Sequence, residues 1–200
     1  MRMPRLLDKL VDRMMLWSMR KGEGGRFDGI GLVDNRGHDD SFLQVMQCSL
    51  RLIQEHDARR YARIKRHISW IVNQVCNALG GQYQPSIRAC FLQFDPAPDL
   101  SRDVVIAFWA CMLVHEATHG VIETRGIKMR TENRVRIERL CTAEQNRFAT
   151  RLTGHDPARY PAVLLQHKFD AGYWEPEWKK GGGERAASFV RRSLVDRKTG

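Results

Sequence analysis

The chain has 200 residues, 42% apolar and 28% charged, which suits one domain with a real hydrophobic core. No uninterrupted apolar run approaches the roughly 18 residues that cross a bilayer, and Asp8, Lys9, Asp12 and Arg13 break up the apolar N-terminus. On these grounds a transmembrane helix and a signal peptide are both excluded, and a cytoplasmic location is expected. The formal net charge of +10 sits at the ends: residues 1–26 hold seven Lys or Arg against three acids, residues 179–200 seven against two, and residues 27–178 are nearly balanced. Basic ends predict non-specific contact with anionic surfaces, and no basic central groove.

In chain order, Leu6, Leu7, Leu10, Val11, Met14 and Met15 recur at helical spacing, which predicts a basic amphipathic helix over 5–19. The Gly- and Asp-rich stretch 20–40 reads as a loop and carries no nucleotide-binding fingerprint. Residues 1–40 are thus set apart from a single domain over 41–178, with 179–200 as a basic, flexible tail that begins near the glycines at 181–183. Ser41 caps a helix to about Glu55, with Phe42, Val45, Met46, Leu50 and Ile53 on its buried stripe. A second helix is predicted over 58–79, with Ile64, His67, Ile68, Ile71, Val72, Val75 and Leu79 inward and Gly80–Gly81 at its end. His67 on that stripe reads as a hydrogen-bonded core residue.

Residues 87–94, IRACFLQF, lie between Pro85 and DPAPD and form the best strand in the chain. Ser101 then caps a helix to about Arg125, with Asp103 in its first turn and Gly126 just beyond its end. Thr131 starts another, with Val135, Ile137, Leu140, Cys141, Phe148 and Leu152 buried and Gly154 as its stop. Irregular packing is expected after residue 154. The five cysteines, at 48, 76, 90, 111 and 141, form no CxxC pair and read as reduced, mostly buried thiols, with no thiolate metal site among them.

The informative stretch is 111–122, CMLVHEATHGVI, where two histidines and a glutamate interrupt an apolar helix. His115 and His119 are four residues apart and share one helix face, so both rings can point at one tetrahedral ion about 2.0–2.1 Å away. Glu116 lies about 100° around the helix, within reach of a water on that ion but outside the ligand shell. Two histidines leave a catalytic zinc one protein ligand short. Gly126 lets the next helix fold back, and residue counting brings Glu138 level with the pair; Glu144 is the second choice and His155 the third.

HEATH at 115–119, followed after eighteen residues by Glu138, resembles the gluzincins, zinc metallopeptidases with the pattern HExxH-x18-E. HEATH with a downstream RIERLC (136–141) is also similar to uncharacterised bacterial proteins of this size. The resemblance covers roughly 58–152 and implies an α+β, mostly helical fold with a small gluzincin-like zincin core: a backing helix, a short sheet, the HExxH helix and the glutamate helix. It implies a metallopeptidase in which His115, His119 and Glu138 hold Zn²⁺ and Glu116 is the general base on a zinc-held water. A peptide or protein substrate would lie along the edge of strand 87–94. The family places an acidic residue four positions after the ligand glutamate to orient a histidine, and this chain has Thr142 there. The residue that steadies the oxyanion would be His155, Tyr160 or Tyr173. The alternative expectation is a basic nucleic-acid or membrane-surface binder with a structural or vestigial zinc site, suggested by the two basic ends and by Trp17, Trp174 and Trp178.

Overall fold

The computed structural model describes residues 4–37, 40–76, 81–167 and 169, so Leu79, Tyr173, Trp174, Trp178 and the basic tail lie outside the described residues. The fold is α+β and mostly helical. Its elements are α1 (Pro4–Lys21), β1 (Glu23–Phe27), β2 (Ile30–Asp34), α2 (Asp40–His56), α3 (Ala58–His67), β3 (Trp70–Asn73), β4 (Gly81–Gln84), β5 (Ala89–Leu92), α4 (Arg102–Thr124), α5 (Arg134–His155) and the short α6 (Ala162–Leu165). A single 3₁₀ turn, Pro85–Ile87, links β4 to β5.

The five strands form one mixed sheet in the order β1-β2-β3-β5-β4. The central pairs β2–β3 and β3–β5 are parallel, while β1–β2 and β4–β5 are antiparallel. Side chains alternate across the pleat. Ile71, Cys90 and Leu92 point into the main core with Leu50, Ile64, Leu113 and Phe148. Trp70, Val72, Ala89 and Phe91 point the other way, where Met19 of α1 covers them. The amphipathic N-terminal helix is present, and its inward residues include Met15 and Leu16.

Several expected elements change. The stretch 20–40, expected as a loop, forms the β1–β2 hairpin and joins the sheet. Its turn is Asp28–Gly29, with φ of 45° and 88°, the left-handed pair that a two-residue hairpin loop requires. The helix expected over 58–79 ends at His67, where Ile68 turns extended (φ −114°, ψ 120°), and Trp70–Asn73 form β3. All four β3 residues are buried. A strand covered on both faces shows no alternation, so its apolar run passed for the continuation of a helical stripe. Val75, counted on that stripe, is exposed. Gly81 opens a strand instead of closing a helix. Ser41 lies inside α2 and not at its cap. The predicted strand 87–94 is β5, but it lies between β3 and β4; the free edge next to it belongs to β4.

The α4 boundaries follow the sequence closely. Ser101 accepts from the Val104 amide (3.4 Å) and Asp103 lies in the first turn. Gly126, at φ 79°, makes the reversal into the next segment. Helix α5 begins three residues later than expected and continues through Gly154 to His155; Leu140 is exposed, because the α4-facing stripe runs through Ile137, Cys141, Phe148 and Leu152. Among the described residues α4 is long and apolar enough to cross a membrane, although His115, Glu116 and His119 break its apolar run. Most of it is buried inside the protein, and that packing accounts for its composition.

Gly120 fixes how closely α3 and β4 approach α4. A Cβ built there would lie 2.6 Å from His67 Cβ and 3.0 Å from the Tyr83 hydroxyl. In an open helix Gly→Ala stabilises by about 1 kcal/mol. Here Gly120→Ala is expected to lower the melting temperature, as read by circular dichroism, and a rise would contradict the close approach.

Candidate metal site

The α4–α5 pair is antiparallel: Met112 and His115 meet Gln145, His115 and His119 meet Glu138, and Ile122 packs with Ile137 and Cys141. The expected crossing therefore brings both imidazoles and one carboxylate together. Glu138 Oε2 stands 3.3 Å from His115 Nε2 and 3.6 Å from His119 Nε2. Burial pushes the Glu138 carboxyl up, but hydrogen bonds and charge from His115 and His119 outweigh it and hold the group well below the usual carboxylate range.

Cys141, one turn on from Glu138, joins this cluster. The ligand atoms of His115, His119 and Cys141 all lie within 4.8 Å of one another, a grouping able to hold a metal ion. One of the cysteines expected to stand apart from any metal site is thus placed beside the histidine pair. The other cysteines stay outside it, all free thiols, and only Cys48 among the five is not fully buried.

The two rival third ligands are placed elsewhere. Glu144 faces α3, paired with Arg60 at 3.0 Å, Arg63 at 3.1 Å and Arg147. His155 stacks edge-on to His56 (centroids 4.7 Å apart), with Tyr160 beyond at 6.4 Å from His56. Both candidates for the oxyanion role among the described residues therefore sit against α2 and away from the cluster.

Thr142 is buried, yet the partner of His115 is Gln145, whose Oε1 lies 3.1 Å from Nδ1. An amide oxygen only accepts, so the ring nitrogen facing it carries the proton and Nε2 presents a lone pair to the cluster. Gln145 was legible in principle, because 138, 141 and 145 fall on one α5 stripe. His167 had no such signal. It follows the irregular segment after α5, where its backbone is clamped by Asn146 through two reciprocal hydrogen bonds of 2.8 Å. Desolvation and the nearby His115 lower the pKa of its imidazole.

Glu116 faces the sheet. It is 3% exposed, and its Oε2 is buried without a hydrogen-bond partner. Gly81 makes room for it, since a Cβ there would lie 2.5 Å from Glu116 Oε1. Burial, opposed by His115 and reinforced by Glu138, raises its pKa to about 7. No protein-family model matches the chain, and neither a curated protein nor a solved structure does so.

A carboxyl whose folded pKa is raised above its unfolded value favours the fold at low pH and disfavours it once it ionises. In metal-stripped protein the stability is therefore expected to fall between about pH 4.5 and about pH 7. Glu116→Gln should remove that fall and leave stripped protein on the order of 3 kcal/mol more stable at pH 8. Urea unfolding at both pH values measures it; identical pH profiles for the two proteins would contradict the placement of Glu116.

Proposed function

We propose that the chain is a zinc-dependent hydrolase of peptide bonds, a gluzincin-like metallopeptidase in which His115, His119 and Glu138 hold the ion and Glu116 is the general base. The spacing of the cluster carries this reading. Three ligand atoms each about 2.0–2.1 Å from one tetrahedral ion stand about 3.4 Å apart. The two Glu138 distances, 3.3 and 3.6 Å, bracket that value. The lone pair on His115 Nε2 faces a carboxylate oxygen, which repels it unless a proton or a cation lies between them. The unpartnered Oε2 of Glu116 likewise calls for a polar guest.

A Zn²⁺ ion bound there supplies Lewis acidity, polarising a scissile carbonyl and lowering the pKa of water beside it towards about 7. The protein's own groups do the rest. Gln145 fixes the His115 tautomer, so Nε2 is the ligating atom. Glu116, with a proton affinity matched to neutral pH, takes a proton from the attacking water and delivers it to the leaving amine. His167, an exposed side chain whose backbone the Asn146 clamp fixes to α5, takes the place of His155 and Tyr160 as the group that steadies the developing oxyanion. The free edge of β4 takes the role assigned from sequence to strand 87–94, hydrogen-bonding an extended substrate.

Cys141 supports a second reading, a closed structural site in which the thiolate replaces water as a ligand. Substitutions separate the two. Protein purified without added zinc is expected to carry about one equivalent, lost in His115→Ala and in Glu138→Ala. Glu116→Gln should retain the metal while hydrolysis of an unfolded protein substrate falls at least about 100-fold. Cys141→Ser should retain both metal and activity; loss of the metal in that variant would instead establish the closed site.

A further inference from the structure

The nearly balanced charge of residues 27–178 conceals a local excess. Arginines distant in sequence, Arg59, Arg63, Arg66, Arg88 and Arg125, line one cavity of about 700 Å³, and the one acidic residue in its wall is Glu123. The expectation that the basic charge avoids the centre of the chain fails here, because α3, the turn after β4 and the end of α4 converge. Part of this charge is accounted for. Arg63 pairs with Glu144, and Arg88 donates to the Lys65 carbonyl at 3.0 Å. The C-terminal ends of α3 and α4 each contribute only about half a negative charge. Arg59, Arg66 and Arg125 are exposed, and a surplus of positive charge remains. Arg88 closes the 3₁₀ turn as its left-handed cap (φ 51°), its amide donating to the Pro85 carbonyl at 3.2 Å, and this sets its side chain at the cavity wall.

The cavity begins one residue beyond the cluster along α4. Gly120 and Val121, in its wall, directly follow His119, and Tyr83 and Pro85 bring the end of β4 to it. β4 starts at Gly81, against Glu116, and reaches Gln84 about 10 Å further on. An extended peptide along this edge would thus have its main chain beside Glu116 and a side chain about three residues away in the cavity. Tyr83 is the one Phe, Tyr or Trp among the described residues of the wall, so successive bases find no series of stacking faces, and the cavity is one pocket with no extended stripe. Both features favour a peptide over a nucleic acid.

We propose that this arginine-lined cavity is a specificity subsite that binds an acidic side chain of a peptide lying along β4. The proposal rests on the hydrolase reading for the direction of the peptide, while its test reads binding without turnover. Full-length Glu116→Gln protein is titrated into a fluorescein-labelled, C-terminally amidated peptide of alternating Ala and Glu, and into its Ala–Gln counterpart. The Glu peptide is expected to bind at least about tenfold tighter. Arg66→Glu with Arg125→Glu, or the milder pair Arg66→Gln with Arg125→Gln, should abolish that preference with unchanged thermal melts. The preference should persist in His115→Ala, so failure of the zinc site and failure of this subsite give different results. Equal binding of the two peptides would overturn the proposal, as would a preference that survives both double variants. Displacement of the Glu peptide by a single-stranded oligonucleotide at lower concentration than by unlabelled Glu peptide would overturn it in favour of a nucleic-acid site.

Discussion

Glu138 reaches from α5 to place one carboxylate oxygen between two imidazoles of α4, and the rest of the arrangement depends on that crossing. It requires the two helices to run antiparallel in one register. Gly126 makes the reversal at positive φ, and Phe148, Ala149 and Leu152 lock the far end of α5 into the core against α4. A shift of one residue would rotate Glu138 about 100° away and bring an exposed neighbour, Arg139 or a buried Ile137, to face the histidines. The core therefore sets the distance between Glu138 and the two histidines.

The same helix carries its polar groups at considerable cost. Glu116, His115 and His119 interrupt the most buried helix of the fold, where an unpaired carboxylate costs several kcal/mol. The sheet relieves this locally and incompletely: Gly81 leaves space for the Glu116 side chain but offers no donor to its second oxygen. Gln145 satisfies His115 at Nδ1, while Nε2 faces Glu138, a pairing that needs a proton or a cation between the two atoms. A stable fold built only for packing would gain by replacing such groups with apolar ones. Their gathering at one point is the observation on which the proposal of a metal site rests.

The helical half of this molecule was legible from its sequence because apolar spacing, Ser101 and Gly126 all agree. The sheet was not. β3 is buried on both faces and mimics a helical stripe, and the Asp28–Gly29 hairpin signal lay within a stretch whose glycines suggested a loop. The HExxH pair and Glu138 were readable because α-helical geometry converts sequence spacing directly into a shared face. Cys141 and Gln145 lie on the same α5 stripe, but their apolar and amide character hid them behind the expectation of an acidic partner at position 142. His167 and the arginine cavity come together only through tertiary contacts between distant segments, and no local pattern announces those.

The most direct measurement is X-ray absorption at the zinc edge on protein loaded with one equivalent of Zn²⁺. A shell of nitrogen and oxygen at about 2.0–2.1 Å with the multiple-scattering signature of two imidazoles and no sulfur is the expected result. A sulfur at about 2.3 Å, or a shell with fewer than two imidazoles, would contradict the assignment of His115, His119 and Glu138.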